Sequence, residues 1–279
     1  MIVRTSQLKT KIKNLSNGNS NKAQALLRTF FMERFLERLC NSDYKNNFYL
    51  KGGMLVSSLL GLDVRSTMDI DTTISEFNLD YETAKRVIEE IINIDINDEV
   101  TFEIIKEGEI MDEADYPGIR FTLQANLEKI KQKIKIDIST GDIITPSAIE
   151  YNYKLMLEDK TIQLRSYNIE TLLAEKIETI MARGITNTRM RDFYDIYQIY
   201  MQREDSISFN LLKKAFENTS KRRKSYNLFS NIENILYDIQ QNEEMMLNWE
   251  NYKNDSHYVG ELSWKEVNET IQIVIKKMK

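Results

Sequence analysis

The apolar positions of the chain alternate between helical and strand periods up to about residue 138 and are helical from about residue 167. Between Lys22 and Leu39, the residues Leu26, Leu27, Phe30, Phe31, Phe35 and Leu39 recur at helical spacing, which predicts a helix packed through one face. Ahead of it, Thr5 or Ser6 can cap a short basic helix through Lys13, and Ser16–Ser20 reads as a loop. Asn47–Leu50 is a short strand running into Lys51-Gly52-Gly53, and Met54–Leu60 a short buried helix closed by Gly61. A second strand covers Thr67–Ile74, and Tyr81–Ile94 returns to helical spacing at Ala84, Val87, Ile88, Ile91 and Ile92. Three strands follow, around Thr101–Ile105, Gly118–Leu123 and Lys133–Ile138. From about Tyr167 the pattern is helical throughout, over Ile169–Arg183, Thr188–Met201, Ser208–Asn218, Asn227–Gln241 and Trp264–Lys277. The expected fold class is α+β: a mixed sheet with helices over residues 1–165, then a helical lobe over residues 166–279, with the seam near 150–168.

Composition narrows the chemistry. The chain has 279 residues, enough for two lobes with a real core, and its single Cys (Cys40) and single His (His257) exclude disulfide frameworks, zinc clusters and Ser-His-Asp catalysis. Any catalysis must rest on carboxylates, lysines and backbone. The N-terminus lacks the apolar core of a signal peptide and no run of eighteen apolar residues occurs, so a cytoplasmic protein without a membrane segment is expected. A net charge of −5 argues against a globally basic nucleic-acid binder, although the run Lys221-Arg222-Arg223-Lys224 can meet a phosphate backbone if it is not merely a solvated helix end. Met245, Met246, Trp249, Tyr252 and Trp264 read as packing of the helical lobe.

The carboxylates offer more. On a strand, Asp69 and Asp71 face one side and Ile70 the other. In Lys133–Ile138 the isoleucines 134, 136 and 138 share one face and Lys133, Lys135 and Asp137 the opposite one, so Asp137 becomes a third carboxylate if the two strands are neighbours. Hard oxygen ligands of this kind suit Mg²⁺, completed by substrate phosphates. An Asp-x-Asp alone can equally be a solvated strand face. The preceding Lys51-Gly52-Gly53 sharpens the reading, because glycines at a strand-to-helix junction let backbone approach an anion and the helix N-terminus offers free N–H groups.

Two charged residues sit on helix faces that ought to be apolar. Lys176 falls within the arc of Ile169, Leu172, Leu173, Ile177 and Ile180, where it must snorkel, pair or point into a cleft. Asp192 borders the apolar face of the next helix, whereas Asp195 projects to the polar side with Arg191 and is expected to pair with it. A surface pair of Asp192 with Arg189 stands as the plainer alternative.

Taken in order, Phe48-Tyr49-Leu50-Lys51-Gly52-Gly53, Arg65-Ser66-Thr67-Met68-Asp69-Ile70-Asp71, Ile136-Asp137-Ile138, Ala174-Glu175-Lys176 and Arg191-Asp192-Phe193-Tyr194-Asp195 resemble the AbiEii/AbiGii family of nucleotidyltransferase-like toxins over roughly residues 20–202. The resemblance implies a polymerase-β-like nucleotidyltransferase lobe followed by a helical lobe, and metal-dependent transfer of a nucleotide from an NTP. It also implies a toxin of a bacterial toxin–antitoxin pair used in abortive phage defence, with an antitoxin that is a transcriptional regulator and needs no stable complex. Residue by residue, it assigns Mg²⁺ to Asp69 and Asp71, the phosphate path to Gly52, Gly53 and Thr67, triphosphate charge to Lys176 and a catalytic carboxylate to Asp192, with Lys51, Arg65 and Ser66 beside the phosphates. The wider superfamily commonly has Gly-Ser where this chain has Gly52-Gly53, so a hydroxyl must come from elsewhere, Ser66 or Thr67 being nearest. Analogy with relatives points to an RNA acceptor such as tRNA. Transfer to a small molecule or a protein hydroxyl, or a nucleotide-binding module without turnover, are the competing readings.

Overall fold

The computed structural model describes residues 2–75, 80–110 and 118–279. The chain divides into two compact units, one formed by residues 1–141 and 149–166 and the other by residues 142–148 and 167–279.

The first unit is built on a seven-stranded mixed sheet. Its strands are β1 (Phe48–Lys51), β2 (Asp69–Ile74), β3 (Thr101–Ile110), β4 (Gly118–Leu127), β5 (Ile130–Thr140), β6 (Ile149–Lys154) and β7 (Thr161–Ser166), in the order β3-β4-β5-β2-β1-β7-β6. β1 runs antiparallel to β2 and parallel to β7, and β2 runs parallel to β5, so the two middle strands of the sheet come from distant parts of the chain. The apolar alternation read from the sequence sets the buried face: Ile70, Phe121, Leu123, Ile134, Ile136 and Ile138 are all buried. Against the sheet lie helices α2 (Ser20–Cys40), α3 (Gly52–Leu60) and α4 (Tyr81–Ile92), and α1 (Thr5–Ser16) packs on α2.

Two features depart from the sequence pattern. β6 and β7 fall in the stretch read as a seam and instead extend the sheet past β1. α2 does not pack through one face, because Glu33, Arg34, Glu37 and Arg38 are buried along with its apolar residues. Tertiary partners make this tolerable: Arg38 grips Asp98 with both terminal nitrogens at 2.9 and 2.8 Å, Arg34 lies 2.5 Å from Glu37 and 3.2 Å from Glu158, and Lys160 reaches Glu37. Glu33 accepts from Tyr153 Oη and the Met156 amide, and burial pushes its pKa up to about 8, which leaves it protonated at neutral pH.

The second unit is helical: α5 (Ile169–Arg183), α6 (Met190–Arg203), α7 (Phe209–Arg222), α8 (Ile232–Gln241), α9 (Glu243–Asp255) and α10 (Trp264–Met278). Asn168 caps α5 by accepting from the Thr171 amide, and its side-chain amide donates to the Thr145 carbonyl at 2.7 Å, tying the 142–148 segment to this unit. Met245, Trp249 and Trp264 are buried as expected, whereas Met246 is exposed. Lys221 and Arg222 end α7, and Arg223 turns inward to Glu178 at 2.7 Å and Glu175 at 3.3 Å. Among the described residues, no helix is long and apolar enough to cross a membrane.

Candidate active site

The chain enters the site on β1, whose Phe48 and Leu50 are buried while Lys51 stands in register with Asp71 of β2. Gly52 has φ +60°, and a Cβ there would lie 2.0 Å from Asp71 Oδ2, so this position requires glycine on both conformational and steric grounds. The next amide, Gly53 N–H, donates to Asp71 Oδ2 at 3.1 Å. The first turn of α3 therefore holds a carboxylate of the chain itself. At Gly53 a Cβ would lie 2.6 Å from Thr67 Oγ1, which places the threonine hydroxyl where a side chain on residue 53 would otherwise project. Thr67 is buried and Ser66 half-buried. Arg65 is buried, donates to the Ser66 carbonyl, and would come within 3.0 Å of the same Gly53 Cβ.

Register then assembles the charges. Asp71 pairs laterally with Asp137 of β5, and Asp137 with Arg120 of β4, so that one row across the sheet reads Lys51, Asp71, Asp137, Arg120. Ligand oxygens of Asp69, Asp71 and Asp137 all lie within 4.8 Å of one another. Three carboxylates at this distance repel, and the pKa of Asp71 is pushed up to about 6 by burial and by the charges of Asp69 and Asp137, against the opposing pull of Lys51 and the Gly53 amide. Asp137 is relieved by a two-pronged contact from Arg120, Nε to Oδ1 at 2.7 Å and Nη2 to Oδ2 at 2.5 Å. Asp69 has no such relief: its Oδ1 is buried without a hydrogen-bond partner. An orphaned carboxylate oxygen amid two further carboxylates fits a hard divalent cation, which prefers such oxygen ligands. Arg120 escaped the sequence reading, since only the β4–β5 register brings it to Asp137.

In the helical unit, Lys176 is buried and its Nζ lies 2.7 Å from Asp192 Oδ1 and 2.8 Å from Asp195 Oδ2. Arg189 also approaches Asp192, at 3.2 Å. The expectation that Asp195 pairs with Arg191 on a polar face is overturned: Asp195 is fully buried and shares the ammonium with Asp192. α6 is covered by α5, α9 and α10, so the side that a single-face reading leaves to solvent is occupied.

A comparison with protein-family models matches residues 34–270 to the nucleotidyl transferase AbiEii toxin of type IV toxin–antitoxin systems. The chain belongs to the AbiEii family. It is a nucleotidyltransferase of the toxin kind, and the α+β fold agrees with that membership. Among solved structures, this AbiEii chain is similar to MenT4, a nucleotidyltransferase toxin of Mycobacterium tuberculosis, at 12% identity and TM-score 0.59, covering 97% of this chain and 99% of that one. JHP933 from Helicobacter pylori matches at 17% identity and TM-score 0.48, over 91% of this chain and 93% of that one. At such identities the likeness concerns the fold. A search of curated proteins returned no match.

Proposed function

We propose that this toxin transfers a nucleotide from an NTP to an RNA acceptor at the Asp69–Asp71–Asp137 cluster, with Mg²⁺ as the cation. The observation that carries the reading is the buried, unpartnered Asp69 Oδ1 beside two further carboxylates, one of them held by the Gly53 amide. Mg²⁺, when bound, would lower the barrier to attack on the α-phosphorus by drawing off charge from the phosphoryl oxygens. The chain's own residues do the rest. Asp69, Asp71 and Asp137 hold the cation, and Arg120 fixes Asp137 so that its carboxylate cannot swing away. Gly52 and Gly53 let Asp71, Thr67 and Arg65 close on the strand-to-helix turn beside the phosphates, where Thr67 and Ser66 supply hydroxyls and Lys51 and Arg65 positive charge. In the helical unit, Asp192 and Asp195 hold Lys176 between them. The acceptor hydroxyl oxygen bonds to the α-phosphorus, its proton passes to a carboxylate, and pyrophosphate leaves.

We place this activity in the cytoplasm, in abortive phage defence, opposed by an antitoxin that acts as a transcriptional regulator without a stable complex. The test is to incubate the purified protein with each of the four labelled NTPs, Mg²⁺ and total bacterial RNA, beside Asp69→Ala. Label on RNA from one NTP, absent in the variant, is the expected result. Label on the protein or on a small molecule instead overturns the acceptor, and NTP binding without any transfer overturns turnover itself.

A further inference from the structure

The carboxylate cluster lies at one end of a lysine row on an uncovered sheet face. Because Asp137 faces the cluster, the period of two along β5 carries Lys135, Lys133 and Lys131 onto the same face, while Ile134, Ile136 and Ile138 are buried on the other. All three lysines are exposed. Cross-strand register extends each into a row: Lys135 beside Thr122 and Lys106, Lys133 beside Gln124 and Glu103, Lys131 beside Asn126 and Thr101. Lys106, Glu103 and Thr101 are exposed too, and Thr122, Gln124 and Asn126 half-buried, so the face holds four lysines with Glu103 among them and Asp69 of the cluster beside Lys135, lined by hydroxyls and amides.

Two observations separate this face from an ordinary solvated strand. Lysines guard sheet edges against unwanted pairing, but β5 is an interior strand and the edges are β3 and β6. Also, among the described residues none of the four lysines has a salt-bridge partner, although the net charge of the chain is −5. A same-sign row with no internal partner is complementary to an external polyanion. Side chains at alternate positions stand ~7 Å apart and the row spans roughly 20 Å from Lys131 to Asp137. That is the reach of a short single strand whose end arrives at the carboxylates.

We propose that the Lys131–Lys133–Lys135 face of β5, widened by Lys106, binds the backbone of a single-stranded RNA acceptor and leads its end to the Asp69–Asp71–Asp137 cluster. This rests on the RNA-acceptor reading above and adds where the acceptor lies. The phosphates meet ammonium groups as point charges, and the amides of Gln124 and Asn126 offer sequence-tolerant hydrogen bonds, so binding is electrostatic and weakly sequence-selective.

The test uses the full chain with Lys131→Glu/Lys133→Glu, and Lys131→Gln/Lys133→Gln as the gentler pair should charge reversal impair folding. Binding of a short single-stranded RNA is followed by anisotropy across a salt series, with NTP binding and thermal unfolding measured alongside. The expected result is RNA affinity reduced about tenfold or more at low salt, with a salt slope shallower by about 1.4, two phosphate contacts at ~0.7 each. NTP binding and the unfolding midpoint should stay where they are. If the wild-type chain binds RNA and both variants bind it equally well, the face is not the track and the acceptor reading survives. If the wild-type chain neither binds nor labels RNA, the acceptor reading falls and this proposal falls with it. Displacement of RNA by poly-glutamate at equal charge would reassign the face to an acidic polypeptide.

Discussion

Two carboxylate clusters among the described residues, one in each unit, are neutralised in opposite ways. On α6, Asp192 and Asp195 close on the ammonium of Lys176, so the chain supplies its own counter-ion. On β2 and β5, Asp69, Asp71 and Asp137 converge with Lys51 beside Asp71 and Arg120 on Asp137, and leave Asp69 Oδ1 without a hydrogen-bond partner. Burying like charges costs several kcal/mol unless something offsets them. Charge is balanced within the helical trio, whereas the sheet trio leaves charge that the proposed cation would offset.

Removing a carboxylate from the sheet trio is the strongest way to break that contrast. Asp69→Ala should lower the transfer rate about 10³-fold or more, since roughly 4 kcal/mol of transition-state stabilisation depends on the cation it helps to hold. It should leave the metal-free protein at least as resistant to denaturant, because it relieves repulsion. Rate measured by labelled-nucleotide transfer and stability by urea unfolding should thus move independently. A variant that lost both together would show that the sheet carboxylates are structural.

The helical trio should behave in the reverse sense. Lys176→Met strands two buried aspartates and should cost about 3–5 kcal/mol in urea unfolding. An unchanged midpoint would mean that the trio is open to solvent or to a ligand in solution, contrary to its burial.

Arg120 tests the margin between the two. Arg120→Ala frees Asp137 without removing a carboxylate, and an orienting partner of this kind is worth about 10–100-fold in metal affinity. The apparent Mg²⁺ requirement of transfer should rise by that factor while the rate at saturating Mg²⁺ is largely restored. A loss that Mg²⁺ cannot restore would give Arg120 a direct role with the substrate.

How far these two clusters can be read from sequence depends on what holds them together. The sheet trio follows from alternation within β2 and β5 plus one assumption, that the strands are neighbours, and the register of Asp71 with Asp137 meets it. The Gly52-Gly53 junction is legible because only glycine tolerates both the φ at residue 52 and the nearness of Asp71 and Thr67. Arg120 is not legible, since nothing local distinguishes it from any arginine on a strand until β4 is laid beside β5. Asp195 is misread for a related reason: a helical wheel presumes one buried face, and α6 has several. α9 is missed because only Met245 and Trp249 of its thirteen residues are buried, too few to print a period. β6 shows the same weakness, with Tyr153 alone fully buried among its six residues.

The smallest expected effect is a dependence on pH carried by the sheet trio. With its pKa raised to about 6, Asp71 keeps a proton in the folded, metal-free protein at pH values where the unfolded chain, near pKa 4, has already lost it. Below pH 4 both states are protonated and the residue costs nothing. As pH rises from about 4 to 6 the unfolded state ionises first, so folding becomes less favourable, and above 6 the loss is complete. Compared with Asp71→Asn, the wild-type chain in chelator should therefore lose stability across that window and run parallel to the variant above it. Mg²⁺ should return that stability at pH 7.5 and return little at pH 5, where a proton already occupies the carboxylate and competes with the ion. Urea titrations of both proteins, with and without Mg²⁺, give the two curves. Parallel curves across the whole range would mean that Asp71 ionises normally in solution and that the crowding of the three carboxylates is relieved without a bound cation.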